Sequence, residues 1–419
     1  MEVRLPYGRS FLTASLPDHF GVDIIEAPQP PPAVDPAGVV NAALENLLGE
    51  VKWSDVAEAR SVAIAISDKT RPVPHHQLLP PLLKRLMELG IPDQAITFYV
   101  ASGTHAAMTP DEFPLILSGD ILSRYKVSAH DARNDQLHMD LGQTARGTPV
   151  WSNKAYVQAD LKIVIGNIEP HQFAGFSGGV KAAAIGLSAF STINGNHALM
   201  THPDSQLGEY YNNPLRQDIE EIGQKIGVHL ALNAILTQDK QIVYALAGDP
   251  YVVMRQGVEL SREVCQAAAR QKYGLVIASP GGHPKDINLY QAQKGFAHAA
   301  MITRLGGTVI VTAACPEGTG SPGYEAWMQG KQSYAEILQQ FSGEGFRIGP
   351  HKAYQIARDA SQVRLLFCSE MEEAFSRALL LNPVSDLGSA LELALADLQP
   401  GERIGILPHA ATTIPYVLK

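Results

Sequence analysis

Residues 169–186 read Glu-Pro-His-Gln-Phe-Ala-Gly-Phe-Ser-Gly-Gly-Val-Lys-Ala-Ala-Ala-Ile-Gly, and they gather an imidazole (His171), a hydroxyl (Ser177), clustered glycines and an amine (Lys181). A second imidazole, His197, follows sixteen positions beyond the lysine. An apolar run from Leu161 to Gly166 precedes the stretch and reads as a buried strand. Small residues after a strand let backbone amides approach a ligand at a helix start, so Gly178 and Gly179 join Ser177 as candidate anion-binding groups. Acid–base, nucleophilic and anion-binding chemistry thus meet in one loop. A Walker-type phosphate loop is excluded, because Lys181 is followed by Ala182 and the magnesium-binding hydroxyl is missing.

Three further loops carry polar groups beyond strand-like runs. Ser67-Asp68-Lys69-Thr70-Arg71-Pro72 offers Arg71 as a bidentate carboxylate clamp and Asp68 as an acceptor for a ribose hydroxyl. Ser102-Gly103-Thr104-His105 offers a histidine, whose ordinary pKa of about 6.5 suits a general base. Tyr290-Gln291-Ala292-Gln293-Lys294 places Gln291 and Lys294 on one helix face. Taken singly, each has a plain reading: turn-satisfying Asp68 and Arg71, structural histidines among 14, and solvated Lys181 and Lys294.

The elements that must hold these loops alternate. Strands are expected at 62–66, 96–101, 161–166, 230–236 and 242–247, with helices at 78–89, 110–117 and 215–226. A hairpin to Pro17 and a proline-rich connector at 27–37 precede them. A long helix, 252–270, leads to a second set with strands at 275–278, 308–312, 363–367 and 404–407 and helices at 293–305, 334–341 and 371–381. Such alternation predicts an α/β protein with mostly parallel sheets, whose ligands gather beyond the carboxyl ends of the strands. At 419 residues the chain is long enough for two domains, placed at 1–268 and 269–419 with an active-site cleft between them.

Composition narrows the function. No apolar run approaches the roughly 18 residues of a membrane span, and no basic-then-apolar leader opens the chain, so a cytoplasmic protein is expected. A net charge of −9 without a Lys/Arg-rich run argues against nucleic-acid partners. The three cysteines, Cys265, Cys315 and Cys368, form neither a disulfide framework nor a zinc pattern.

Taken together, Asp-Lys-Thr-Arg-Pro at 68–72, Gly-Thr-His at 103–105, Glu-Pro-His-x-Phe-Ala-Gly-Phe-Ser-Gly-Gly-x-Lys at 169–181, Asn-His at 196–197 and Tyr-Gln-x-x-Lys at 290–294 resemble the nickel-pincer-dependent lactate racemase family. Cys-Pro-Glu-Gly at 315–318 and His-Lys-Ala-Tyr at 351–354 are weaker matches. The resemblance implies a racemase or epimerase of 2-hydroxy carboxylates working by reversible hydride transfer. Its implied cofactor is a pyridinium-3-thioamide-5-thiocarboxylic acid mononucleotide carrying nickel, joined to Lys181, with His197 as the protein ligand completing a square-planar site. By the same resemblance His105 and His171 are the two bases. Asp68, Thr70, Ser177, Gly178 and Gly179 serve the nucleotide, and Arg71, Tyr290, Gln291 and Lys294 hold the substrate. A tryptophan that covers the substrate in some relatives has no matching tryptophan in the quoted motifs, and Tyr354 is the candidate the resemblance offers in its place. The implied partners are the substrate and the cofactor-synthesis enzymes. Two other readings stay open on the residues alone: a zinc-type hydrolase using His105, His171 and His197, and a 2-hydroxy acid binding protein. Neither the substrate's side chain nor the oligomeric state is written in the sequence.

Overall fold

A computed structural model describes residues 1–418, which divide into two compact units: 29–264, and 1–28 together with the described chain from 265 onward. The expected second boundary at 268 lies close to the crossing at 264/265, but the first 28 residues fold with the C-terminal unit. The reason is a strand hidden before the proline-rich connector. Gly21–Ile24 pairs in parallel with Arg403–Leu407, and Asp23 accepts from the Arg403 guanidinium and from the Tyr273 hydroxyl.

Unit 29–264 is built on a six-stranded sheet in the order Ile242–Gly248, Leu230–Leu236, Leu161–Asn167, Val62–Ser67, Ile96–Ala101, Lys126–Ala129. Only the first pair is antiparallel. In Val62–Ser67 the β-branched residues Val62, Ile64 and Ile66 enter the core beneath the helices Pro36–Glu45 and His75–Glu88, with Leu78, Leu82 and Leu86 above them. The alternate positions are alanines, and on that side the short helical turn Lys181–Ala184 packs against the strand. From Val62–Ser67 the chain adds Ile96–Ala101 and Lys126–Ala129 to one side, then returns to lay Leu161–Asn167 on the other. This reversal makes a topological switch point, where open α/β sheets bind ligands beyond their carboxyl ends. The loops that begin at Asp68 and Ile168 both start there.

The second unit carries a six-stranded, wholly parallel sheet in the order Pro383–Val384, Arg364–Cys368, Thr303–Thr312, Tyr273–Ala278, Arg403–Leu407, Gly21–Ile24. Helices Leu289–Ala300 and Pro350–Ala360 cover one face, while Leu387–Leu395 and the N-terminal hairpin (Glu2–Tyr7, Ser10–Ser15) cover the other.

Several expected bounds shift for identifiable reasons. The helix expected at 252–270 spans Pro250–Cys265, because Gln266–Ala269, despite its three alanines, pairs as a strand with Ile414–Val417. The helix expected at 293–305 is Leu289–Ala300, started by the Asn288 side chain accepting from the Gln291 amide. No described helix is long and apolar enough to cross a membrane.

One close approach sets the floor of the switch-point loops. Gly223, on helix Pro214–Ile226, lies against Val180, and a Cβ built there would stand 2.5 Å from the Val180 Cβ. Helix propensity alone favours Gly223→Ala by about 1 kcal/mol. Overpacking costs about 1–3 kcal/mol and should prevail, so the urea midpoint of this unit is expected to fall. A raised midpoint would show that the contact is slack.

Candidate functional site

The loop after Val62–Ser67 folds around a buried carboxylate. Asp68 is 3% exposed; its Oδ1 accepts from the Thr70 amide (3.0 Å) and the Thr70 hydroxyl (2.7 Å), and its Oδ2 lies 2.8 Å from His105 Nδ1. Burial opposes ionisation of Asp68, but the hydrogen bonds from His105 and Thr70 outweigh it and hold the carboxyl below its ordinary range. An ionised carboxylate only accepts, so Nδ1 of His105 must carry the proton and Nε2 must carry the lone pair. An imidazole oriented in this way can act as a general base. Asp68, expected to accept from a ribose hydroxyl, holds Thr70 through Oδ1 and His105 through Oδ2 in this structure. Thr70 joins the same cluster, 3.2 Å from His105 Nδ1.

The loop after Leu161–Asn167 is held by its own polar groups. Ser177 donates its hydroxyl to the carbonyls of Asn167 and Glu169, and its amide to Glu169. Gly179 donates its amide to Asn233 Oδ1 at 2.8 Å. Gly178 and Gly179 both have positive φ, and a Cβ on Gly179 would stand 2.3 Å from Met254 Cγ, so these glycines serve close packing. The hydroxyl of Ser177 and the Gly179 amide, expected to face a nucleotide, are therefore engaged inside the loop. Arg216, 1% exposed, braces it from beneath: it donates to the carbonyls of Phe176 and Gly178 and pairs with Glu220 at 2.6 Å.

This scaffold presents Lys181, His171 and His197. Lys181 is half-buried, and its side chain, like that of Arg71, has no hydrogen-bond or ion-pair partner among the described residues. Burial, then the nearby Arg71 and Arg216, pushes its amine down to about 7. Burial, Lys181 and Arg71 likewise push His197 down to about 3, so its imidazole is neutral at working pH. Phe173 lies edge-on to both histidines, 4.6 Å from the His171 ring and 5.2 Å from that of His197. The Ala174 amide donates to His171 Nδ1 at 3.2 Å, which leaves Nε2 as the protonated nitrogen of neutral His171. Ser102 Oγ and Asn167 Oδ1, at the ends of the strands flanking Val62–Ser67, are buried without a hydrogen-bond partner. Orphaned atoms of this kind at a switch point fit a polar ligand. The three-histidine zinc shell is not assembled: among the described residues no group of three or more His, Cys, Asp or Glu has metal-holding geometry.

In the second unit, Lys294 donates to Gln291 Oε1 at 2.7 Å along Leu289–Ala300, as their spacing predicts. Buried Lys352 lies over the Tyr290 ring, its Nζ 4.7 Å from the centroid, and also donates to Gln355. The sequence hinted at this lysine only through His-Lys-Ala-Tyr. Tyr354 stacks on Phe341 at 4.8 Å and packs away inside the unit, so the role of substrate cover is not supported for it.

Comparison with known proteins gives one consistent picture. The lactate racemase N-terminal domain matches residues 7–208 and the lactate racemase C-terminal domain matches 268–414. The chain is 28% identical over 422 residues to the lactate racemase of Thermoanaerobacterium thermosaccharolyticum, covering 99% of both chains. It is 31% identical over 345 residues to that of Lactiplantibacillus plantarum, covering 81% of each. The solved structure of the T. thermosaccharolyticum lactate racemase apoprotein superposes with a TM-score of 0.91 over 99% of this chain and 100% of that one. A Thermotoga maritima protein at 18% identity and TM-score 0.64 shares the fold.

The unpartnered Lys181 amine yields a direct expectation. Because its ammonium is destabilised, Lys181 should be acylated by a small amine-directed reagent with an apparent pKa of about 7, while exposed lysines still gain reactivity above pH 9. Peptide mapping after pulse labelling reads this; a Lys181 rate that climbs only in step with the exposed lysines contradicts it.

Proposed function

Because this chain belongs to the lactate racemase family, we propose that it interconverts the enantiomers of a small 2-hydroxy carboxylate, lactate or a near relative, with a nickel-pincer nucleotide as cofactor. The observation that carries the reading is the setting of Lys181, an unpartnered amine held near neutrality beside a neutral imidazole and an unpaired Arg71. A weakly basic amine suits a covalent thioamide link, and a neutral His197 suits nickel, so the residues present fit the group. Lys181 and His197 would hold it. When bound, it would supply a reversible hydride acceptor for the substrate's Cα hydrogen.

The chain's own residues do the rest. Arg71 binds the carboxylate through its planar fork, and its like-charged neighbours favour an anion there. His105 Nε2 takes the hydroxyl proton, and Asp68 stabilises the imidazolium that forms. His171, which enters this direction as the imidazolium, returns a proton from Nε2 to the oxygen as the centre closes with the opposite hand and is left neutral. A 2-keto carboxylate, its anionic group still on Arg71, thus connects the two enantiomers, and each direction uses one histidine to begin and the other to finish. Tyr290, Gln291 and Lys294 belong to the proposal as substrate contacts on the strength of their motif, as does Thr70 beside the base.

Two measurements test this. Protein made together with the cofactor-synthesis enzymes should show a mass increment mapped to Lys181, stoichiometric nickel, and interconversion of D- and L-2-hydroxy acids by chiral chromatography. Fully active protein without nickel or increment would refute the cofactor. Asp68→Asn should lower kcat/KM about a hundredfold or more while leaving the cofactor load intact. Loss of load in step with activity would return Asp68 to a cofactor-holding role.

A further inference from the structure

His197 is the penultimate residue of helix Phe190–Ala198, and its Nδ1 lies 3.1 Å from Oδ1 of the preceding Asn196. Which ring nitrogen bears the proton depends on which way the Asn196 amide points, and the surroundings of that amide allow one answer. Asn196 is wholly buried. Its Nδ2 faces two acceptors, the Leu215 carbonyl at 3.0 Å and Asp218 Oδ2 at 2.9 Å. Turning the amide over would set its oxygen against both. Asp218, 1% exposed on helix Pro214–Ile226, is held in turn: its Oδ1 accepts from the Thr144 hydroxyl at 2.6 Å, and that hydroxyl accepts from the Thr148 amide at 3.1 Å. The polarity of the chain is therefore fixed from a backbone amide inward. Thr148 donates to Thr144, Thr144 donates to Asp218, Asn196 donates to Asp218 and Leu215, and the remaining Asn196 oxygen can only accept from His197.

We infer that Asp218 and Asn196 are positioning residues that lock His197 in its Nδ1–H tautomer, so that Nε2 is the nitrogen offered to the metal. The tautomer follows from these hydrogen bonds alone; the metal-ligand role of that nitrogen rests on the proposed function. Metal-bound imidazoles are commonly oriented by a carbonyl on their other nitrogen, and losing such a partner weakens the metal about ten- to a hundredfold. Here an asparagine supplies the carbonyl, and a buried carboxylate keeps the asparagine from turning.

The test reads the tautomer first. Cofactor-free full-length protein labelled with 15N-histidine is examined by long-range 1H–15N correlation, with the His197 signals assigned by their loss in His197→Gln. The unaltered protein should show Nδ1 protonated and Nε2 bare, and an Nε2–H form there overturns the inference without recourse to any variant. Asn196→Leu should raise the Nε2–H form to at least half of the population, while His105, held by Asp68, keeps its Nδ1–H signal and so reports an intact fold. An unchanged His197 tautomer in folded Asn196→Leu likewise overturns it. The second reading is nickel retention by cofactor-loaded protein during dialysis against a chelator, expected to fall tenfold or more in Asn196→Leu. If the tautomer shifts and nickel retention does not, the lock stands and His197 is not the nickel ligand, which separates failure of the proposed function from failure of the lock.

Discussion

The site depends on a concentration of positive charge that the fold declines to neutralise. Arg71, Lys181 and Arg216 meet near the carboxyl ends of Val62–Ser67 and Leu161–Asn167, and only Arg216 has a carboxylate partner, Glu220. Glu169, the nearby acid that favours the Lys181 ammonium, is itself paired with Lys240 at 2.7 Å. Charges of one sign in a partly dehydrated space relax by two routes: a proton leaves the most acidic cation, or an anion enters. Arginine does not deprotonate, so the proton comes from lysine, and the neighbouring imidazole stays neutral. Burial is the larger cause of both shifts, and the crowding of cations adds to it in the same direction for Lys181 and for His197.

Holding such a cluster requires a rigid loop that consumes few of the groups facing a ligand. The 168–180 segment achieves this by turning its polar atoms inward. Ser177 and Gly179 are tied to the loop and to Asn233, while Arg216 ties down two carbonyls from below. Positive-φ glycines let Met254 and Ile168 come close enough to replace side-chain packing. The loop after Val62–Ser67 is organised on the same plan: Asp68 uses Oδ1 to hold Thr70 and Oδ2 to orient His105. In each case a polar residue next to the reactive one is used up so that the reactive one has a single orientation.

Most of this scaffold was legible because it rests on local signals. Apolar runs such as Val62–Ile66 and Ile96–Ala101 declare themselves as buried parallel strands, and the loops beyond them contain the reactive residue types. What escaped reading depends on contacts distant in sequence. Gly21–Ile24 is a strand only because Arg403–Leu407 lies beside it, and Gln266–Ala269 leaves helical conformation only because Ile414–Val417 offers a partner. The same limit applies within the site. The types of Asp68 and Ser177 announce polar chemistry but not their protein partners, and nothing local to 68 announces His105, 37 positions away.

Arg216, Asp218 and Thr144 mark the deeper limit. Asn213-Pro214-Leu215-Arg216 reads as a capped helix start, and Arg216 with Glu220 reads as an ordinary pair at helical spacing. In the fold that helix brings Arg216 beneath the loop and Asp218 behind Asn196, both almost wholly buried. A buried charge next to a functional loop is weak evidence for stability, since apolar residues of similar volume often do as well. Its use here is directional. Arg216 orders two carbonyls and Asp218 orders one amide, which no apolar side chain can do, so these charges are placed to define orientation where the chemistry needs one.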